Sequence, residues 1–273
     1  MPYDPTSVEL SGRVALVTGA GAGIGRATAL LLSRFGAAVA LCDRDAERLA
    51  ATETALGGAS QPVLAQSLDV RDAAGVEGFV GDVAAAFGRV DVLVNNAGGT
   101  FFAPFLDVSP RGEDTLIAEN FTQVTRLIRL VVPHMPPRGS IVNLTSIEAH
   151  QAAPGFAVYA AMKAAVAQLT RSLALELAPR RIRVNAVAPD AIPTEGDRDV
   201  RGAMLGGGAR YDPAVVPPAG ALGSPEDAAA VVVFLAGDLS RFVTGTTLHV
   251  DGGNWAAGGW RLTDAGAYRG EDG

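Results

Sequence analysis

The feature that constrains this chain most is an alternation kept from one end to the other. Short β-branched apolar runs are separated by longer segments of helical periodicity. Residues 14–18, 38–42, 90–95, 140–144, 182–188 and 246–250 read as strands apolar on both faces, the pattern of a sheet covered on both sides. Residues 24–35, 72–87, 111–132, 158–178 and 225–236 read as helices. The third stops before Pro133 and the fourth before Pro179, while the fifth follows Ser224, a good N-cap, with Glu226 and Asp227 in its first turn. Strand–helix alternation of this kind builds an α/β, doubly wound parallel sheet with helices on both faces.

No linker or solenoid-length repeat divides the 273 residues, so one domain over 1–273 is expected. It has an N-terminal extension at 1–12, a Gly/Pro-rich loop at 194–222 that is long for a connection, and a tail at 254–273. Trp255 and Trp260 are candidate anchors for that tail. Hydrophobic residues at 48% against 19% charged support a sizeable core.

Charge excludes one class of function. Lys and Arg total 22 against 29 acids, a formal charge of −7, and no basic stretch stands out, so no nucleic-acid partner is expected. No apolar run reaches the ~20 residues of a membrane helix. The first twelve residues have no apolar core and do not read as a secretory signal. Cys42 is the lone cysteine, which rules out an internal disulfide and fits a reducing compartment. The expectation is a cytoplasmic protein without membrane contact. His134, His150 and His249 are too scattered for a metal site, so no metal is expected. The acidic run from Asp43 to Glu47 reads as a solvated loop and helix start.

The first strand runs into Thr18-Gly19-Ala20-Gly21-Ala22-Gly23-Ile24-Gly25, and a helix follows. So tight a turn needs glycine where a Cβ would block either a phosphate or the helix packing. The helix N-terminus then offers free N–H groups and a partial positive charge to a pyrophosphate. Asp43 ends the second strand, 18 residues past Gly25. An acid there is placed to accept hydrogen bonds from the adenosine ribose hydroxyls and to repel a 2′-phosphate, which favours NAD over NADP. Arg44 argues the other way, since an arginine there can pair with phosphate. Ala22 stands where a basic residue would favour NADP.

Two further patterns carry chemistry. Tyr159 and Lys163, four apart on a helix, face the same way. A tyrosine pKa of about 10 is too high for an efficient base at neutral pH, and a neighbouring ammonium favours the phenolate. Ser146 follows the strand at 140–144, at the carboxyl end where open α/β sheets place their sites, and its hydroxyl can bind a substrate oxygen. Thr145 is the adjacent competitor. His150 is a possible substrate contact. Phe101, Phe102, Phe105 and Phe156 either line an apolar cleft or belong to the core. Two glycosylation sequons, at Asn120 and Asn143, are discounted without a secretory signal.

The glycine pattern, Asn95-Asn96-Ala97-Gly98 and Tyr159-x-x-x-Lys163, in that order, resemble the short-chain dehydrogenase/reductase family from about Gly12 to Gly253. The resemblance implies a single Rossmann-like domain with about seven parallel strands. It implies a catalytic set of Asn120, Ser146, Tyr159 and Lys163, the thirteen-residue gap from Ser146 to Tyr159 agreeing with the family. Asn120 would hold a water that relays protons from Lys163. Gly19, Gly23, Ile24 and Gly25 match the cofactor turn. Asp69 and Val70 match the pair flanking adenine, and Asn96, Ala97 and Gly98 the stretch beside the nicotinamide-side ribose, with Asn95 a sheet-stabilising residue. Pro189, Ile192 and Thr194 match residues that touch the carboxamide, while Tyr159 and Lys163 also hold the ribose. Gly223 to Asp227 and Val250 to Gly253 resemble family sequence too. One departure is clear: Asp190 stands where the family has glycine after Pro189. The expected activity is hydride transfer between NAD(H) and a secondary alcohol or ketone, a small apolar molecule, by a homotetramer (or homodimer). An NADPH-dependent 3-oxoacyl or carbonyl reductase, and a catalytically silent nucleotide-binding protein, are the alternatives.

Overall fold

In the computed structural model, seven strands pair in the order β3-β2-β1-β4-β5-β6-β7, every pair parallel. The structure describes residues 5–58, 61–195, 217–258, 261–262 and 268–269. The strands are β1 (Val14–Thr18), β2 (Ala38–Asp43), β3 (Val63–Ser67), β4 (Val92–Asn95), β5 (Ser140–Leu144), β6 (Arg183–Pro189) and β7 (Thr247–Val250). The chain order reverses between β1 and β4, so a crevice opens at their carboxyl ends, where doubly wound sheets bind ligands.

The helices are α1 (Gly23–Arg34), α2 (Ala46–Leu56), α3 (Ala73–Phe87), α4 (Pro110–Ile117), α5 (Gln123–Val131), α6 (Ala157–Glu176), α7 (Pro225–Ala236) and the single turn α8 (Asn254–Ala257). Their starts follow local chemistry: Asp45, Asp72 and Ser109 each accept a hydrogen bond from a first-turn amide. The backbone N–H and the hydroxyl of Ser224 both donate to Asp227, fixing the start of α7 where the sequence predicts it. Two apolar clusters flank the sheet. One packs α1 and α7 against Ala15, Val17, Val39 and Val187, and the other packs α3, α5 and α6 against Leu16, Leu93, Ile141 and Val184. Consecutive strand residues thus serve opposite clusters, which explains the continuous apolar runs. Each fully buried side chain such as Phe79 or Leu16 contributes about 1.5–3 kcal/mol.

The helix expected over 111–132 is interrupted. A π-helical turn, Ala118–Thr122, separates α4 from α5. The cause is Asn120, whose side-chain Nδ2 donates to the Leu116 carbonyl and so inserts into the helical ladder. Strand β3 escaped the sequence reading, and of helix α2 only the start within Asp43 to Glu47 was read. Strand β3 lies at the sheet edge and stays half-exposed, so its apolar run is short and mixed with Gln66 and Ser67. No helix among the described residues is long and apolar enough to cross a membrane.

Candidate active site

The glycine turn is closed by packing. A Cβ on Gly25 would lie 2.0 Å from the Gly19 carbonyl oxygen, and one on Gly19, at φ +65°, would meet Asn96 Nδ2 and the Ala97 backbone at 2.9–3.0 Å. Asn96 ties the turn to the end of β4: its Nδ2 donates to the carbonyls of Thr18 (3.0 Å) and Gly19 (3.1 Å). Thr18, which the sequence reading passed over, accepts from the backbone N–H groups of Asn96 and Ala97 through one hydroxyl oxygen. These contacts leave the turn pre-shaped, with the Gly21 amide turned to Asp43 and the Gly23 amide to Glu195. The Gly23 N–H donates to the Glu195 carboxylate at 3.1 Å, so an anionic oxygen already stands where a phosphate oxygen would at the start of α1. Thr194 lies beside Gly23 as well, 3.0 Å from where its Cβ would be. The cradle therefore fits a dinucleotide pyrophosphate.

At the adenosine end, Asp43 Oδ2 accepts from the Gly21 amide at 2.8 Å and Oδ1 from the Asp45 amide at 2.9 Å. The carboxylate is thereby fixed at the rim of the turn. Val70 is buried, and Asp69 is bound to Arg71, whose guanidinium hydrogen bond holds its carboxyl below the usual range. Arg44 is bound to Glu119 and Arg48 to Asp45.

The catalytic set predicted from sequence gathers at the carboxyl ends of β4 and β5. The Lys163 side chain is buried, and its Nζ donates to the Leu144 carbonyl at 2.9 Å while lying 5.6 Å from the Tyr159 ring centroid. Burial pushes its pKa down to about 8, opposed by the charges of Glu119 and Glu148. Lys163 Nζ and Asn120 Oδ1 both border Gly98: a Cβ there would sit 3.2 Å and 2.9 Å from them. Gly98 is exposed, so a lysine ammonium and an amide oxygen lie beside a solvent-accessible glycine. Asn120 is held by Gly99, donating to its carbonyl (2.8 Å) and accepting from its amide (3.3 Å). Ser146 is buried, and its hydroxyl donates to Glu148, a carboxylate the sequence reading did not single out. Glu148 lies on the 3-10 turn Ile147–Ala149, which packs against α6 and so joins Ser146 to the helix of Tyr159 and Lys163. Asn95 donates to Asn143, which donates to Thr170 on α6. Asn120 and Asn143 are both buried, which removes them as glycosylation acceptors.

The four phenylalanines are not core residues. Phe102 and Phe156 form an edge-to-face pair at 5.5 Å that links the loop after β4 to the loop before α6, while Phe101 and Phe105 are exposed. His150 packs edge-on against His249 (4.8 Å) and tilted against Trp255 (5.7 Å), which stack on each other, and burial lowers its pKa. Trp255 thus anchors the start of the tail on this same chain; Trp260 and positions 196–216 of the long loop lie outside the described residues. Cys42 is buried, its thiol pushed up to about 12 by burial, so it is no nucleophile.

Asp190 has a structural account. Its carboxylate accepts from Asn254 Nδ2 at 2.6 Å, tying α8 to the end of β6, and the next residue, Ala191, takes a left-handed backbone (φ +53°). Pro189, Ile192 and Thr194 follow this joint along the cleft, with Ile192 buried against Gly223. Asn254→Ala should strand that carboxylate and cost about 1–2 kcal/mol, read as a drop of roughly 2–6 °C in Tm. An unchanged Tm would show that the bond is not formed in solution.

Comparison with known proteins agrees with this fold. A family profile described as Enoyl-(Acyl carrier protein) reductase matches residues 19–254. The 3-oxoacyl-[acyl-carrier-protein] reductase of Thermotoga maritima is 40% identical over 248 residues, covering 90% of this chain and 99% of that protein. The crystal structure of levodione reductase superposes with a TM-score of 0.86 at 33% identity, covering 90% of this chain and 99% of the other. Carveol dehydrogenase from Mycobacterium avium, solved in complex with NAD, superposes with a TM-score of 0.84 at 29% identity over 91% and 99% of the two chains.

Proposed function

From the premise that this chain belongs to the short-chain dehydrogenase/reductase family, we propose that it is an NAD-dependent oxidoreductase acting on an apolar secondary alcohol or its ketone. Within that reading Gly19, Gly23, Ile24 and Gly25 hold the pyrophosphate, Asp43 the adenosine ribose, and Asp69 and Val70 the adenine. Asn96, Ala97 and Gly98 flank the second ribose, Lys163 and Tyr159 bind it, and Pro189, Ile192 and Thr194 face the carboxamide. The nicotinamide, when bound, supplies or accepts the hydride.

The observation that carries the proposal is the buried Lys163 beside Tyr159 at an exposed glycine. A buried ammonium acts in low dielectric, where its pull on a nearby phenolate is strongest. Tyr159 Oη takes the proton of the substrate hydroxyl in oxidation and returns it in reduction. Ser146 turns its hydroxyl from Glu148 to the substrate oxygen and stabilises charge there. Asn120, lining the same glycine as Lys163, holds the water through which Lys163 exchanges protons with solvent.

The preference for NAD rests on Asp43 together with Arg44, Arg48 and Arg71, each engaged by a carboxylate of the protein. Asp43→Asn removes the charge facing a 2′-phosphate and should reduce discrimination between NADH and NADPH by about tenfold, as measured by fluorescence titration of both. Wild-type protein that binds NADPH more tightly than NADH would overturn the cofactor assignment. A second reading, an NADPH-dependent 3-oxoacyl reductase, draws on the name of the Thermotoga relative, and the Asp43 carboxylate opposes it. A panel of cyclic terpenoid alcohols, linear alcohols and 3-oxoacyl thioesters, followed by nicotinamide absorbance, separates the two. Turnover of the cyclic alcohols with NAD is expected, and turnover confined to the thioesters with NADPH would replace this proposal with the second. A cytoplasmic homotetramer completes the proposal, supported by apolar side chains such as Phe242 and Leu175 on the surface.

A further inference from the structure

Three arginines surround the adenosine end of the cleft, and their partners differ in kind. Arg48 pairs with Asp45 (3.1 Å) at the start of α2 and Arg71 with Asp69 (2.5 Å), each with a partner two or three residues away. Arg44 pairs with Glu119 at 3.4 Å across 75 residues of sequence, from the end of β2 to the π-helical turn that carries Asn120. The carboxylates on Arg44's own loop are engaged elsewhere: Asp43 accepts from the Gly21 and Asp45 amides, and Asp45 receives Arg48. Glu119 is the fixed member of the pair. Its side chain is 15% exposed against 64% for Arg44, and it is wedged against Gly99, where a Cβ would lie 2.9 Å from Oε1.

Arg44 directly follows the acid that faces the adenosine ribose. A guanidinium there, on a long exposed side chain, is a ready partner for a 2′-phosphate, which it binds through two parallel hydrogen bonds. We infer that Glu119 is a specificity-determining residue that acts through Arg44: by holding this guanidinium it denies a 2′-phosphorylated dinucleotide its cation. This inference rests on the NAD reading above and adds a second determinant to Asp43, on a different element. Glu119 is a positioning residue in this role. It also bears on Lys163 and Arg71, whose protonation its charge favours, so turnover alone does not report on it and the ratio of two cofactor affinities does.

The test measures Kd for NADH and NADPH, and for 5′-ADP and 2′,5′-ADP as probes of the adenosine end alone. The proteins are wild type, Glu119→Gln, Arg44→Ala and the double variant. Glu119→Gln should shift the NADPH/NADH and 2′,5′-ADP/5′-ADP preference toward the phosphorylated member by about tenfold. The double variant should return to within about twofold of wild type, because the gain needs Arg44. An unchanged ratio in Glu119→Gln, or a gain that survives in the double variant, overturns the inference. Arg44→Ala alone probes the same pair whether or not Glu119→Gln folds. Held by Glu119, Arg44 contributes little, so the ratio stays near wild type; a large loss of NADPH affinity would mean that Arg44 already serves the phosphate, and the inference would fall. The wild-type ratio by itself tests the NAD reading, and its change on substitution tests Glu119.

Discussion

Tyr159→Phe is expected to lower kcat by about a thousandfold while leaving the NADH Kd within about threefold of wild type. The substitution deletes one oxygen and keeps the ring. Tyr159 is half-buried at the start of α6, so the ring's packing and its contact with the Lys163 ammonium are retained and the fold is not at issue. The proton donor and acceptor goes. Ser146 cannot replace it, because an aliphatic hydroxyl is a far weaker acid than a phenol and does not ionise near neutral pH. The dinucleotide keeps the glycine turn, Asp43 and Lys163, which is why affinity should survive. Steady-state rates on a substrate found in the panel, with a parallel NADH titration, check both halves. Undiminished turnover would remove Tyr159 from the chemistry. Loss of rate and of NADH binding together would make it a binding residue instead.

How much of this was legible beforehand depended on whether a signal was local. The glycine turn and Tyr159–Lys163 are local: they depend on steric limits within a few residues or on the helical repeat, and both stand where the sequence places them. The strands of the sheet interior were legible because they serve two apolar clusters at once. Edge strand β3 also touches both clusters, but it is only half-buried along its length and carries Gln66 and Ser67, which dilutes its pattern. The break in the long helix was not legible from periodicity, because helical residues continue on both sides of the π turn. Asn, a poor helix former in the middle of the pattern, was the available clue, and the reason appeared only with Gly99 and Leu116 around it. Glu119, Glu148 and Glu195 were passed over for a related reason. Surface helices and loops carry many glutamates. Glu119 and Glu195 are distinguished by a partner on another element, Arg44 and the Gly23 amide, while Glu148 is marked by its bond to Ser146 two residues before it. Asp190 stood out as a departure from the family's glycine, yet its meaning lay 64 residues away in Asn254.

Gly25→Ala should abolish measurable dinucleotide binding, weakening NADH at least a hundredfold, and destabilise the protein by about 1–3 kcal/mol. The new methyl would lie 2.0 Å from the Gly19 carbonyl oxygen and 2.4 Å from Asn96 Nδ2. The first contact is backbone, held by the Asn96 hydrogen bond and the return of the chain from β1, so it cannot rotate away as a flexible side chain would. Relief requires α1 to move off the sheet or the turn to open. Either displaces the Gly23 amide and the positive end of α1 from the phosphate position by a sizeable part of an ångström, and hydrogen bonds to an anion decay over that distance. Ala29 and Leu32 pack α1 into the first apolar cluster, so the shift is also resisted from beneath. Gly58→Ala is the control, since nothing lies within 4 Å of a Cβ there; it should keep wild-type affinity and Tm. NADH titration and thermal melting of both variants decide it. Gly25→Ala binding NADH as wild type does would mean that the turn yields cheaply, and the steric reading of the whole glycine pattern would fall with it.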